Sequence, residues 1–389
     1  MTLRFNNLTV ARLAAALLVF LHHATAEELE SLPSPHLLRF CQNGYVGVSF
    51  FFIVSGFVLA ASNLAKLSTF SFRGTLSFYW KRIARIVPLW LVVSSPFIVE
   101  AVRSHNGGLL PFLTLTQAWS PDVMVAFGLL AVSWTLSVEM FFYLLFPFIA
   151  KAVGVLRGPK AGFFVTSIGI AISIFGTVYF LINRDVSLLP ASDPRGPHHL
   201  LYRFPISRLG EFLVGIGIFL LIDRKPFCIG VRPSTVLLAT ALVGFLVTTS
   251  TIYPVGPFMI FPNALFLAVI VFMLAKLETH GFAVRSPTLI LLGESSFAFY
   301  LVHQFYIRVL IGPKLFHMGG PFLSGIGTLA FALSTSVGLF LLIETPCREL
   351  LLRLVRVRST IPEAEVHEDG VASVADAATQ DAVTGTLKR

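Results

Sequence analysis

Charge is what this 389-residue chain has least of. Asp, Glu, Lys and Arg together make up 13% of it, where an ordinary soluble domain carries about 25%. So few charges cannot cover a water-facing surface, and lipid is the natural solvent. Cysteine is also scarce. Cys41, Cys228 and Cys347 are odd in number and far apart, which argues against a disulfide framework and suits packing residues. No group of His, Cys, Asp or Glu has metal-ligand spacing, so no metal is expected. Negative charge is the scarcer sign, giving a formal net charge of +9. The basic excess lies in short joins between apolar runs rather than on one domain, which argues against a nucleic-acid partner and fits membrane topology signals.

Apolar bulk is what the chain has in quantity. Hydrophobic residues make up 55% of it, 38 of them Phe, and mean hydropathy is +0.81. About 20 mostly apolar residues cross a bilayer. Runs of that kind lie near residues 8–26, 43–63, 83–103, 128–149, 163–182, 205–222, 234–250, 258–275, 288–310 and 322–343. The expected fold is therefore all-α, a polytopic bundle of about ten transmembrane helices, with a short interfacial helix within 104–127. Nineteen Lys and Arg fall in one alternate set of joins and seven in the other. Since positive residues are retained in the cytoplasm, both termini should be cytoplasmic.

Residues 1–26 also have the layout of a secretory signal, ending in Ala24-Thr25-Ala26. His22 and His23 fit poorly in the apolar part of such a signal, so a first transmembrane helix is the preferred reading. The expected membrane domain is 1–350. Residues 351–389 turn from basic to acidic without periodicity and read as a disordered cytoplasmic tail.

Ionisable groups inside a membrane are costly and usually face a bundle interior. Arg12, His22, His23, Glu139, Arg208, Glu211, Glu294 and His303 all fall within apolar runs. On the expected topology His23 lies about 16 Å beyond Arg12 along its helix. Glu139 lies near mid-membrane, and Arg208, Glu211 and His303 lie in the outer half. Histidines, carboxylates and an arginine are thus expected to meet in one bundle. Blander readings stand beside this. His303 alone could be a packing residue, and Arg208 and Glu211, at i,i+3, could simply neutralise each other. Arg82 and Arg85, also at i,i+3, could grip phosphate or merely anchor the cytoplasmic side.

Several segments occur in an order that resembles acyltransferase family 3, integral-membrane enzymes that modify bacterial surface glycans and some small molecules. Arg12, ten residues and then His23 is similar to that family's first-helix signature. The run from Gly44 to Phe57 is similar to its glycine-rich second helix. Arg82-Ile-Ala-Arg85-Ile-Val-Pro88 resembles its RxxR element, and Ser133-Trp134-Thr-Leu-Ser-Val-Glu139 with Phe142-Tyr143 another of its patterns. Arg208-Leu-Gly-Glu211-Phe212-Leu-Val-Gly215, the run Gly293 to His303, and Glu344-Thr-Pro346 resemble the remaining ones.

The resemblance implies a multi-pass enzyme of the bacterial inner membrane. It would be an O-acyltransferase, by default an O-acetyltransferase, moving an acyl group from cytoplasmic acyl-CoA to a hydroxyl of a surface polysaccharide or lipid-linked sugar. Acyl-CoA is then a substrate and no cofactor is bound permanently. Lipid and a glycan or glycoside acceptor are its partners, and a homo-oligomer is left open. His23 is the implied catalytic base, or the site of an acyl-histidine. Glu139 would orient it if their helices are neighbours. Arg12, Arg82 and Arg85 would hold the donor. His22, Trp134, Tyr143, Arg208, Glu211 and His303 are candidates for substrate contact. Polytopic architecture with intramembrane charges fits a transporter or flippase for a lipid-linked sugar equally well.

Overall fold

The structure is a computed structural model that describes residues 5–27, 34–69, 71–156, 160–187, 189–190, 193, 195–223, 229–251, 260–308 and 320–354. The chain divides into one compact unit, Met1–Glu349, and a second, Leu350–Arg389, of which residues 350–354 are described. The tail expected beyond 354 and Cys228 both lie outside the described residues.

No strand occurs among the described residues. An apolar chain in lipid has no water to satisfy its backbone, and the helix satisfies it internally. The helices are α1 (Asn6–Glu27), α2 (Pro35–Gln42), α3 (Gly47–Leu67) and α4 (Phe72–Arg103). Two short ones, α5 (Leu109–Leu113) and α6 (Val123–Phe127), occupy the segment where an interfacial helix was expected. Then come α7 (Trp134–Val155), α8 (Lys160–Ile182), α9 (Arg184–Ser187), α10 (Pro205–Asp223), α11 (Val231–Thr251) and α12 (Ile260–Thr279). The last are α13 (Pro287–Glu294), α14 (Ser296–Tyr306), α15 (Gly320–Leu339) and α16 (Thr345–Leu354).

Nine helices among the described residues are long and apolar enough to cross a membrane. The remaining expected span, 288–310, is present but broken. α13 and α14 meet at Ser295 and together cover residues 287–306, about 30 Å of rise. The break turns Glu294 inward at the end of one half-helix and leaves His303 on the other. A second irregularity serves a similar end. Residues Phe340–Glu344 form a π-helical turn directly before Pro346, and such turns re-aim side chains within a helix. Here the inward side chain is Glu344, only 4% exposed.

α10 and α3 form the centre. α10 packs on α8 and α3, and α3 packs in turn on α1, α7 and α12. Phe57, Phe142, Phe146 and Phe212 fill this centre and are completely buried. The outer helices present Val92, Val99, Phe164, Phe175, Leu242 and Leu246 outward, as a lipid-facing surface requires. Without a hydrophobic drive between helices in lipid, close packing needs small residues at the crossing. A Cβ on Gly56 would fall onto the Phe212 carbonyl oxygen, and one on Gly215 onto the Ile53 carbonyl oxygen. The α3 and α10 backbones therefore touch.

The N-terminus of α1 is fastened from a distance. The Glu278 carboxylate accepts hydrogen bonds from the backbone N–H groups of Asn6 (2.6 Å) and Asn7 (2.9 Å). These are orphan donors of the first turn, where negative charge is also favoured. The Asn7 amide donates to the Leu274 and Phe282 carbonyls and accepts from Val284 N–H. Together these bonds tie α1 to the end of α12.

Gly215→Ala should destabilise the folded protein by about 1–3 kcal/mol, as overpacking does. Gly338→Ala, where an added Cβ would meet nothing, should be neutral. Thermal unfolding of the two purified variants in detergent measures the difference, and equal melting temperatures would remove the close α3–α10 contact as a constraint.

Candidate active site

A cavity of about 580 Å³ opens among α1, α3, α4, α7, α13, α14 and the 340–348 segment. Four guanidinium groups line it, those of Arg12, Arg82, Arg85 and Arg348, together with the carboxylates of Glu139, Glu294 and Glu344. No ion pair forms between them among the described residues. Glu139 accepts a hydrogen bond from the Tyr143 hydroxyl (3.1 Å) and feels Arg85, Arg12 and Arg82 electrostatically. The Arg82 guanidinium lies over the Phe78 and Tyr143 rings, 5.7 and 6.0 Å from their centroids, and its Nε is buried without a partner. Arg82 and Arg85, one turn apart on α4, face the same space as Arg12 of α1. The arrangement offers planar, multidentate donors to an anion, the geometry suited to phosphate.

The histidines form a separate centre. His23 Nδ1 and His303 Nε2 are 3.0 Å apart. His303 is completely buried, stacked on Phe299 at 5.8 Å, with its Nδ1 3.3 Å from the Phe299 carbonyl. His22 turns away from this pair and donates from Nδ1 to the Gln42 carbonyl at 2.7 Å, so a backbone acceptor occupies that nitrogen. His22 and His23 are both half-buried.

Tyr300 and Phe51 stand between the two centres. Both line the arginine cavity, their rings 5.8 Å apart, and the Tyr300 ring lies 5.7 Å from that of His303. The Tyr300 hydroxyl is held 3.2 Å from both Thr135 Oγ1 and the Val132 carbonyl, which ties α14 to the start of α7. From the other side, His22 packs on Tyr45, Tyr45 on Tyr202, and Tyr202 on Trp134 and His198. This aromatic chain ends at the turn His198–Arg203. There Arg203 donates to His198 Nδ1 (2.9 Å) and to the Pro121 carbonyl (2.6 Å). Burial and then the Arg203 charge push the His198 pKa down to about 4.

The expected meeting of all these groups in one bundle is therefore corrected into three groups. Glu139 does not orient His23. α1 and α7 both pack on α3, and Glu139 joins Arg12 and the other arginines instead. The groups that act on His23 are His303, His22, Arg308 and the Val19 carbonyl one turn back on α1. Arg208 and Glu211 join neither centre. They form a buried ion pair at 3.0 Å, 2% and 3% exposed, with Arg208 also donating to Ser49 (3.2 Å) and lying over Phe52. Tyr143 lines the cavity, whereas Trp134 is buried among Phe52, Phe127 and Tyr202. The residues that spacing did not single out for the site are Glu294, Glu344, Arg348 and Tyr300. The inward-facing Glu294 and the Glu344-Thr-Pro346 segment were visible as features. Arg348, one turn beyond Glu344, follows from the second. No cluster of metal-ligating side chains occurs among the described residues.

An acyltransferase domain family matches residues 5–344. The chain is 32% identical to the acyltransferase MdmB of Streptomyces mycarofaciens, over 94% of this chain and 97% of that protein. It is 28% identical to the exopolysaccharide production protein ExoZ of Rhizobium meliloti, over 81% of this chain and 92% of that one. With the O-acetyl transferase of Shigella phage Sf6 it shares 27% identity over 46% and 55% of the two chains. No solved structure matches. The family match takes in the His23–His303 pair and the cavity residues Arg12, Arg82, Arg85, Glu139, Glu294 and Glu344, and this multi-pass membrane protein belongs to acyltransferase family 3, as an acyltransferase for groups other than aminoacyl.

Proposed function

We propose that the protein is an O-acyltransferase of the inner membrane, using cytoplasmic acyl-CoA, by preference acetyl-CoA, to acylate a hydroxyl of a surface polysaccharide or lipid-linked sugar. The observation that carries this reading is the cavity whose four arginines make no ion pair with its carboxylates. Cations that outnumber the carboxylates of a concave site and pair directly with none of them are poised for an anionic ligand, and coenzyme A carries phosphates. The volume lies within the usual range of about 300–1,000 Å³ for small-molecule sites. The cavity is lined by the first turns of α1, by Arg82 and Arg85, and by Arg348, which belong to the segments that the positive-inside rule assigns to the cytoplasm. Membership in an acyltransferase family sets aside the transporter and flippase alternative. The names of two relatives, an exopolysaccharide production protein and an O-acetyl transferase, support a glycan hydroxyl as acceptor.

In this mechanism the phosphates rest on Arg12, Arg82, Arg85 and Arg348, and the thioester reaches past Tyr300 toward His23. The sugar hydroxyl comes from the half-buried side of His23, along the aromatic chain that ends at His198 and Trp134. His23 Nε2 takes the hydroxyl proton as the oxygen bonds to the acyl carbon. The carbon–sulfur bond then breaks, and the proton passes to the departing thiolate. Tyr300, pinned by Thr135 and the Val132 carbonyl, narrows the passage through which the acyl group travels.

The decisive measurement is transfer of label from radiolabelled acetyl-CoA into the surface-glycan fraction at matched membrane expression. His23→Ala should lower incorporation by about 10²–10⁴-fold. Wild-type incorporation by that variant would remove His23 from the chemistry. Arg85→Ala should raise KM for acetyl-CoA by about tenfold or more, the worth of one charged hydrogen bond. An unchanged KM in both Arg85→Ala and Arg82→Ala would place the donor elsewhere.

A further inference from the structure

We infer that His303 is the positioning residue for His23: it fixes the tautomer of the base through a direct imidazole–imidazole hydrogen bond, the task the sequence suggested for Glu139. The inference rests on the proposed role of His23 and deepens it.

The argument begins from hydrogen-bonding capacity. A carbonyl oxygen only accepts, so the 3.3 Å contact between His303 Nδ1 and the Phe299 carbonyl requires a proton on that Nδ1. A neutral His303 then presents a lone pair at Nε2. The 3.0 Å contact with His23 Nδ1 is in turn satisfied only if His23 carries its proton on Nδ1. One tautomer remains for neutral His23, with Nε2 unprotonated and free to accept. Two hydrogen bonds therefore run in a single direction, from His23 through His303 to the Phe299 carbonyl.

The surroundings hold this chain in place. His303 is fully buried and packed between Phe20, Phe299 and Tyr300, so its ring cannot turn without disturbing all three. His23 is half-buried and keeps an open side. Arg308 is the charged side chain that acts on His23, and it cannot serve as an acceptor. The Val19 carbonyl, one turn back on α1, is the rival acceptor for the His23 ring, and the His303→Leu variant leaves it in place. Among the described residues, no carboxylate is paired with either histidine.

The same geometry accounts for the charge that appears during reaction. When His23 Nε2 takes the hydroxyl proton, the ring becomes a cation, and its Nδ1–H bond to His303 becomes charge-assisted and stronger. The new oxygen–carbon bond forms as the carbon–sulfur bond breaks, and the Nε2 proton goes to the coenzyme thiolate, returning His23 to neutrality. His303 gains and loses no proton overall. With no counter-ion beside it, the imidazolium is stabilised only while the proton is in transit, which favours its prompt release to sulfur.

The test compares His303→Leu with His303→Gln. Leucine retains the bulk and offers no acceptor, whereas the Gln amide oxygen can reach the position of His303 Nε2. With radiolabelled acetyl-CoA as donor and the surface-glycan fraction as acceptor, His303→Leu should lower kcat about a hundredfold or more with KM for acetyl-CoA unchanged. His303→Gln should retain kcat within about tenfold. A merely structural role would move both variants with their folding, which is read from elution profile and melting temperature. In parallel, nitrogen-15 spectra of histidine-labelled protein in lipid nanodiscs, with His23 assigned by its loss in His23→Ala, should show Nδ1 protonated and Nε2 bare. That pattern should persist in His303→Gln and average out in His303→Leu.

Wild-type kcat in a folded His303→Leu protein, equal loss in the two folded variants, or a His23 proton on Nε2 would each overturn the inference. If wild type transfers no label, the donor or acceptor in the proposed function is wrong. The tautomer spectrum still decides the role of His303 in that case.

Discussion

Where α3 crosses α10, Gly56 and Gly215 let the two backbones touch, and the positions of both polar centres follow from that contact. Seated against α10, α3 becomes the wall on which both α1 and α7 pack. α1 carries Arg12 and His23, and α7 carries Glu139. The wall leaves Glu139 room to face the arginines at one end of the bundle and keeps it from the histidines further along α1. Lipid offers no hydrophobic reward for helix association, so backbone proximity of this kind is what holds the core at a fixed geometry. A larger residue at either glycine would shift the wall and with it the separation of the centres.

The treatment of buried charge differs among the three polar groups, and the difference is informative. Arg208 and Glu211 are paired, hydrogen-bonded to Ser49 and covered by Phe52. Breaking such a buried pair would leave an uncompensated charge. It reads as a fixed element of the core. The cavity charges are balanced only collectively, at distances too long for ion pairing. An arrangement of that kind is costly unless a ligand completes it. Among the described residues the His23–His303 pair has no paired carboxylate, and its hydrogen bonds run between the two rings and to a backbone carbonyl. Fixed core, ligand cavity and proton-handling pair thus correspond to three electrostatic solutions within one bundle.

The breaks in the helices are as purposeful as the helices. Ser295 interrupts the span that carries both Glu294 and His303, and the π-helical turn before Pro346 turns Glu344 inward. Irregular backbone is tolerated at membrane depth only where protein or a cavity surrounds it. Both irregularities border the arginine cavity. Hydropathy registers the span at 288–310 as one apolar run because Ser and Gly barely alter its mean. The break itself was carried by the local segment Gly293-Glu294-Ser295-Ser296.

Sequence by itself determined the class of solvent, the all-α architecture and the approximate limits of the spans, because these depend on composition and on a fixed rise per residue. It also determined the pairing of Arg82 with Arg85 on one face and of Arg208 with Glu211, since both are local spacings. Tertiary structure alone decided which residues at similar depth are neighbours. Spacing within one helix says nothing about its neighbours, and packing put Glu139 among the arginines rather than beside His23. It was also the packing of α14 against α1 that gave His23 a histidine as its partner, a contact across 280 residues of chain that no local pattern encodes.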